Sequence, residues 1–255
     1  MAKDDALQKP GPTSMEEAPD WIPSGPTGLD WVTRDDIKLP RLMIAQGLSP
    51  EVQEGDGAQI EGLRPGMLFN DLYKEVYGKA TLKFWIVRAD PPHYVEFIPR
   101  DQGGGVKDPN VPANDPRALD GTATRFYDFV VFMQHPTTNR WEPIVISLKG
   151  KAGNRAAKVL HGLINIRKRP FYTGNYTVTP GMVKNSQGTF AVYQFMNDGW
   201  PKTKEEVDER QKLALEFQDK EIEIQREPEG EGDASFDPEA LERESANAKR
   251  SSPGM

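Results

Sequence analysis

The chain has no cysteine among its 255 residues, which excludes disulfides and every zinc site built on thiolates. Its three histidines, His93, His135 and His161, sit in unrelated segments without metal-ligand spacing. No apolar run approaches the ~18 residues of a membrane helix. The N-terminus, MAKDDALQKPGPTS, holds no apolar signal core. The expectation is a soluble, intracellular chain. Hydrophobic residues make up only 36% of it, beside 22 prolines and 23 glycines, so one folded core flanked by disordered ends is expected. The most informative absence is local. Between Pro143 and Asn197 there is neither Asp nor Glu, although the formal net charge is −7.

What fills that stretch is basic. Lys149, Lys151, Arg155, Lys158, Arg167, Lys168, Arg169 and Lys184 all fall inside it, and the rest of the chain keeps 24 basic residues against 39 acidic ones. Such a separation of sign is the electrostatic footprint of a polyanion partner. Phe171, Tyr172, Tyr176, Phe190, Tyr193 and Phe195 are interleaved with the cations. Charges for phosphate and rings for stacked bases are what a single-stranded nucleic acid requires. The competing reading is a solvated basic face beside a sheet core that is aromatic for packing reasons.

Taken in order, residues 1–35 read as a flexible, mostly disordered arm in which Trp21, Ile22, Leu29 and Trp31 are the isolated docking residues. Strand-like alternation begins at Ile37–Ile44, where Pro40 restricts the segment to an edge or a bulge. Residues 47–66 are a polar loop. Ala80–Arg88 is a strong strand, rich in β-branched and aromatic residues. Pro91-Pro92 then leads into His93–Ile98, expected as its hairpin partner. The Gly/Pro/Asn/Asp-rich stretch 99–122 reads as one long loop. Arg125–Met133 and Trp141–Leu148 form a hairpin around His135–Asn139. In Gly153–Arg167 the apolar residues Ala156, Val159, Leu160, Leu163 and Ile164 recur at helical spacing. Two further strands, Tyr172–Thr179 and Thr189–Met196, follow; by parity Tyr172 and Tyr176 share a face. Residues 203–225 form a charged helix, and 226–255 a disordered acidic tail. The sum is a mainly β fold with few helices. Its antiparallel strands suit an OB-like β-barrel over residues 36–202, with a sandwich left open.

Catalytic patterns are weak. Gly103-Gly104-Gly105 and Gly150–Arg155 do not match the phosphate-loop pattern, and no serine sits in a nucleophile elbow. Glu96, Asp101, Asp128, Glu142 and Lys149 have no spacing that singles out a metal nuclease site. No enzyme activity, cofactor or metal is expected.

Several short segments carry a resemblance: Ile37–Leu42 followed by Gln46–Val52, then Arg100–Gly105, the Ser147-Leu148-Lys149 strand end leading into the basic helix, and Asn185-x-x-Gly188-x-Phe190 in a final hairpin. Over roughly residues 37–217 the chain resembles a group of bacteriophage-encoded proteins, several of which are described as single-stranded-DNA-binding proteins. The resemblance implies an OB-like barrel and sequence-independent binding in phage replication or recombination, in the cytoplasm of the infected host. It also implies an acidic tail that recruits replication proteins. Glu227–Glu244 fits such a tail, with Phe236 and Leu241 as apolar anchors, whereas the final residues Lys249–Met255 depart from the acidic tip ending in an aromatic that such tails often have.

The functional expectation is therefore single-stranded DNA held by Lys149, Lys151, Arg155, Lys158, Arg167, Lys168, Arg169 and Lys184, with bases stacked on Tyr172, Tyr176 and Tyr193. The Trp21/Trp31 arm or the charged helix would bridge subunits in a homo-oligomer. The alternatives are a virion structural or assembly protein and a metal-dependent nuclease or recombination factor.

Overall fold

The structure is a computed structural model that describes residues 38–99, 102–185 and 188–218. Expectations for the N-terminal arm, the acidic tail and the helix beyond Gln218 fall outside those residues.

Ten strands and three α-helices are present among the described residues: β1 (Leu42–Ile44), β2 (Leu68–Asn70), β3 (Val76–Gly78), β4 (Leu82–Ala89), β5 (His93–Phe97), β6 (Val106–Val111), α1 (Pro116–Asp120), β7 (Thr124–Gln134), β8 (Trp141–Lys149), α2 (Gly150–Arg167), β9 (Tyr176–Asn185), β10 (Gly188–Asn197) and α3 (Lys204–Gln218). Every ladder is antiparallel. A seven-stranded sheet runs β10-β9-β4-β7, continues to β5 and β6, and has β8 on the other edge of β7, while β1-β2-β3 form a small second sheet.

The expected barrel does not close. Between the outer strands β8 and β10 lies the segment around β1, which joins each by too few bonds to make a ladder. On one side the Val145 amide donates to the Pro40 carbonyl at 2.8 Å, and Arg41 forms a single parallel bridge to Val145. On the other, the Gln46 side-chain amide takes both backbone groups of Ala191 at 2.9 and 3.0 Å, and the Tyr193 hydroxyl donates to the Leu42 carbonyl at 2.8 Å. Pro40 has no amide hydrogen to give to a second strand, which restricts pairing here. The Gln46 amide also occupies an edge that would otherwise stay unpaired.

A second correction concerns the expected β4–β5 hairpin. Both strands lie end to end along one edge of β7: Phe84 to Ala89 oppose Met133 to Phe129, and His93 to Val95 oppose Phe126 to Thr124. Register slips by one residue between Ile86 and Arg88 and by one more across Asp90–Pro92. Two prolines fix extended φ and remove two donors, so the ladder is interrupted while the chain keeps its direction. The third correction is the supposed loop 99–122, which contains β6 and α1. Among the described residues β6 pairs only with β5, so Pro109 sits on an edge. In α1, Asp115 accepts from the Arg117 amide as N-cap, Pro116 opens the first turn, and Gly121 ends the helix at φ 88°. Arg117 ties the segment down, reaching Glu96 at 2.6 Å, Asp108 at 3.1 Å and Asp115 at 2.8 Å. Its guanidinium holds the Asp115 carboxyl at about 2, well below the usual range.

Both faces of the central sheet are covered, which is why β7 reads as a nearly continuous apolar run. On the inner face Phe84, Ile86, Phe129, Val131, Ile144, Ile146 and Leu148 pack beneath Ala156, Ala157 and Leu160 of α2. On the outer face Trp85 stacks on Phe132 at 5.1 Å, and Leu213 and Phe217 of α3 close over them. Arg210 of α3 is buried, with its guanidinium 4.9 Å from the Trp85 ring centre.

Candidate nucleic-acid interface

The basic helix α2 grows directly out of β8. Lys149 is its N-cap in extended conformation, and Gly150 turns the chain at φ +63°. Among the described residues no side chain caps the helix, and no acid occupies its first turn, so that end retains its positive character. Gly153 permits the close descent onto β8: a Cβ there would lie 2.8 Å from the Leu148 carbonyl carbon and 3.2 Å from its Cα.

With Ala156, Ala157 and Leu160 facing the sheet, helical periodicity turns Arg155 and Lys158 to the opposite side, and both are exposed. Lys151 lies in the first turn of the helix. At the far end, roughly 27 Å away at 1.5 Å per residue, the helix stops at Lys168, which takes the left-handed conformation at φ 49°. Lys168 and Arg169 are exposed. Lys184 lies near the tip of the β9–β10 hairpin, eight residues and roughly 27 Å along β9 from Tyr176. The cations thus spread along a helix and a hairpin, and among the described side chains Arg155, Lys158, Lys168 and Arg169 are exposed on or beside α2.

Arg167 differs from its neighbours. It turns inward, with its guanidinium 5.0 Å from the Tyr176 ring centre and 4.3 Å from that of Trp200. Its Nη2 donates to the Asn175 carbonyl at 3.3 Å, while Nε and Nη1 are buried without a hydrogen-bond partner among the described residues.

The three tyrosines chosen as base platforms are placed differently from one another. Tyr176 is fully buried and stacked on Phe84 at 5.6 Å. A ring with no exposed surface cannot take a base, so Tyr176 is a core residue. Burial raises its phenol pKa, opposed by the Arg167 cation above the ring. Tyr172 does not share a face with it: Phe171–Thr173 is a 3₁₀ turn, and Tyr172 packs with the Trp85 cluster on the α3 side. Tyr193 is half-buried, its ring stacked on Phe195 at 6.2 Å and its hydroxyl fastened to β1.

Trp200, which sequence reasoning did not select, is 51% exposed. It lies just outside the acid-free stretch, separated by Asp198, and only the fold brings it against Arg167. Asp198 itself pairs with Lys83 at 3.4 Å.

On the flank of α2, His161 packs edge-on to Tyr127 at 5.4 Å, and Arg125 lies 4.7 Å from the same ring. Burial first, and the Arg125 charge second, hold the imidazole below its ordinary pKa. Among the described residues no group of three or more His, Asp or Glu is placed to hold a metal ion, and no helix is long and apolar enough to cross a membrane.

Fold and surface together define a mostly antiparallel β protein whose basic helix forms part of its outer surface. The Pam3 phage gp34-like protein family matches the chain over residues 12–223, and the chain belongs to that phage family. No curated protein and no solved structure matches it.

Proposed function

We propose that the protein binds single-stranded DNA without sequence preference and acts in phage DNA replication or recombination. The observation that carries the reading is the set of exposed cations Arg155, Lys158, Lys168 and Arg169 in a stretch devoid of carboxylates. Lys149 and Lys151 stand at the start of the helix, whose main-chain amides add to the same positive surface. Membership in a phage family fits this role. Binding here is electrostatic tracking of the backbone plus ring contacts, with no catalytic turnover. The place of action is the cytoplasm of the infected host; replication proteins reached through the acidic tail and a second copy of the chain are the proposed partners.

Four to six phosphate contacts correspond to a log–log salt slope of about −3 to −4 for a single strand. Fluorescence titration with labelled oligo-dT, duplex DNA and single-stranded RNA, at two salt concentrations and with and without Mg²⁺, tests the proposal. Tight, salt-sensitive oligo-dT binding with duplex bound far less well is expected. Absence of oligo-dT binding at low salt would refute it and favour a virion assembly role, while Mg²⁺-dependent loss of label integrity would point to a nuclease.

A further inference from the structure

The Arg167–Trp200 stack goes beyond a basic surface. An exposed tryptophan on a short turn ordinarily samples several rotamers, and ordering it on binding costs free energy. Here the ring is already held. Arg167 lies 4.3 Å from its centre, and Arg167 is itself fixed between Trp200, the Tyr176 ring and the Asn175 carbonyl. The turn carrying Trp200 is pinned by main-chain bonds, Asn175 N–H to the Gly199 carbonyl at 3.1 Å and Asp198 N–H to the Asn175 carbonyl at 2.9 Å. The indole therefore meets solvent as a fixed plate, 51% exposed, with a cation behind it. Lys168 and Arg169 follow Arg167 directly and are both exposed. A flat apolar ring backed by a locked cation, with two exposed cations next to that cation in the chain, suits a ligand that alternates a planar heterocycle with an anion.

Resting on the binding function proposed above, we propose that Trp200 is the platform on which an unpaired nucleobase stacks, with Lys168 and Arg169 on the flanking phosphates. Trp200 is then the residue that favours single strands over duplex. A base within a duplex has both faces occupied and cannot cover the indole, whereas phosphate contacts are open to either form. Among the tyrosines first chosen for this role, Tyr176 is closed off and Tyr172 and Tyr193 are half-buried in packed clusters.

The test uses the full chain with Trp200→Ala and Trp200→Phe, titrated with oligo-dT, an abasic strand of equal length and duplex DNA. Base stacking on an aromatic is worth about 1–3 kcal/mol, which is a loss of roughly 5- to 150-fold in oligo-dT affinity for Trp200→Ala. Abasic and duplex affinities and the salt slope stay as in wild type, and Trp200→Phe recovers most of the loss. An equal loss on the abasic strand would show that the ring acts only through the fold and overturn the inference. So would a wild-type oligo-dT affinity in Trp200→Ala. A wild-type protein that binds no oligo-dT at low salt would instead bring down the proposed function, and this inference with it.

Discussion

Two glycines in α2 are expected to respond oppositely to the same substitution. At Gly162 a methyl group would meet no atom of the described residues within 4 Å beyond its own stretch of helix. Replacing it by Ala gains helix propensity of about 1 kcal/mol, less a little because burial around it is partial. Gly153 receives the same propensity term, but its Cβ would stand 2.8 Å from the Leu148 carbonyl carbon. That neighbour is backbone at the end of a paired strand, so the helix itself has to move. Overpacking of this kind costs about 1–3 kcal/mol. The net for Gly153→Ala is a loss of about 1 kcal/mol, and for Gly162→Ala a gain of about 0.5–1 kcal/mol. In urea titrations with a slope near 2.5 kcal/mol/M, the midpoint falls by about 0.4 M in the first and rises by about 0.3 M in the second. Because Arg155 and Lys158 ride on the displaced segment, Gly153→Ala also weakens oligo-dT binding. Midpoints that shift in the same direction in both variants would refute the claim that β8 and α2 touch backbone to backbone at Gly153.

Other expectations follow from single contacts. Tyr176→Phe removes a buried hydroxyl that has no hydrogen-bond partner among the described residues, so stability in urea stays within about 1 kcal/mol of wild type or rises, and oligo-dT binding is unchanged; lost binding would restore Tyr176 as a contact. His161 has a folded pKa below its unfolded value, so the unfolded chain binds more protons between the two and stability falls as pH drops below about 6.5. A thermal melt of His161→Gln loses less between about pH 7.5 and 5.5 than wild type; equal losses would contradict the assignment. Arg155→Ala with Lys158→Ala flattens the salt slope by about 1.4 while leaving the urea midpoint nearly unmoved. A changed midpoint with an unchanged slope would make those side chains structural.

Most strands were legible because β-branched and aromatic runs are bounded by turn residues, as in Leu82–Ala89 and the Thr124–Gln134/Trp141–Lys149 hairpin. The helix α2 was legible from its apolar stripe. Connectivity was not. Whether Pro91-Pro92 reverses the chain or merely interrupts a ladder depends on β7, more than thirty residues later. The helix at Pro116 carried a complete local signal, Asp before Pro and Gly after Asp120, masked by the turn-rich composition around it. For the site, charge was visible and orientation was not. Periodicity places Arg155 and Lys158 outward, yet nothing in the sequence shows that Arg167 turns in beneath Trp200 or that Tyr176 is sealed. A tyrosine in a strand reads the same whether its face is covered or open, and α2 decides which.

Single-strand binding by the basic surface is decided by equilibrium titration of the wild-type chain with oligo-dT as salt is varied, beside duplex DNA of matched length. Single strands are expected to bind preferentially, with log affinity falling against log salt at a slope of about −3 to −4. Salt-independent binding, equal affinity for duplex, or no binding at low salt would contradict it.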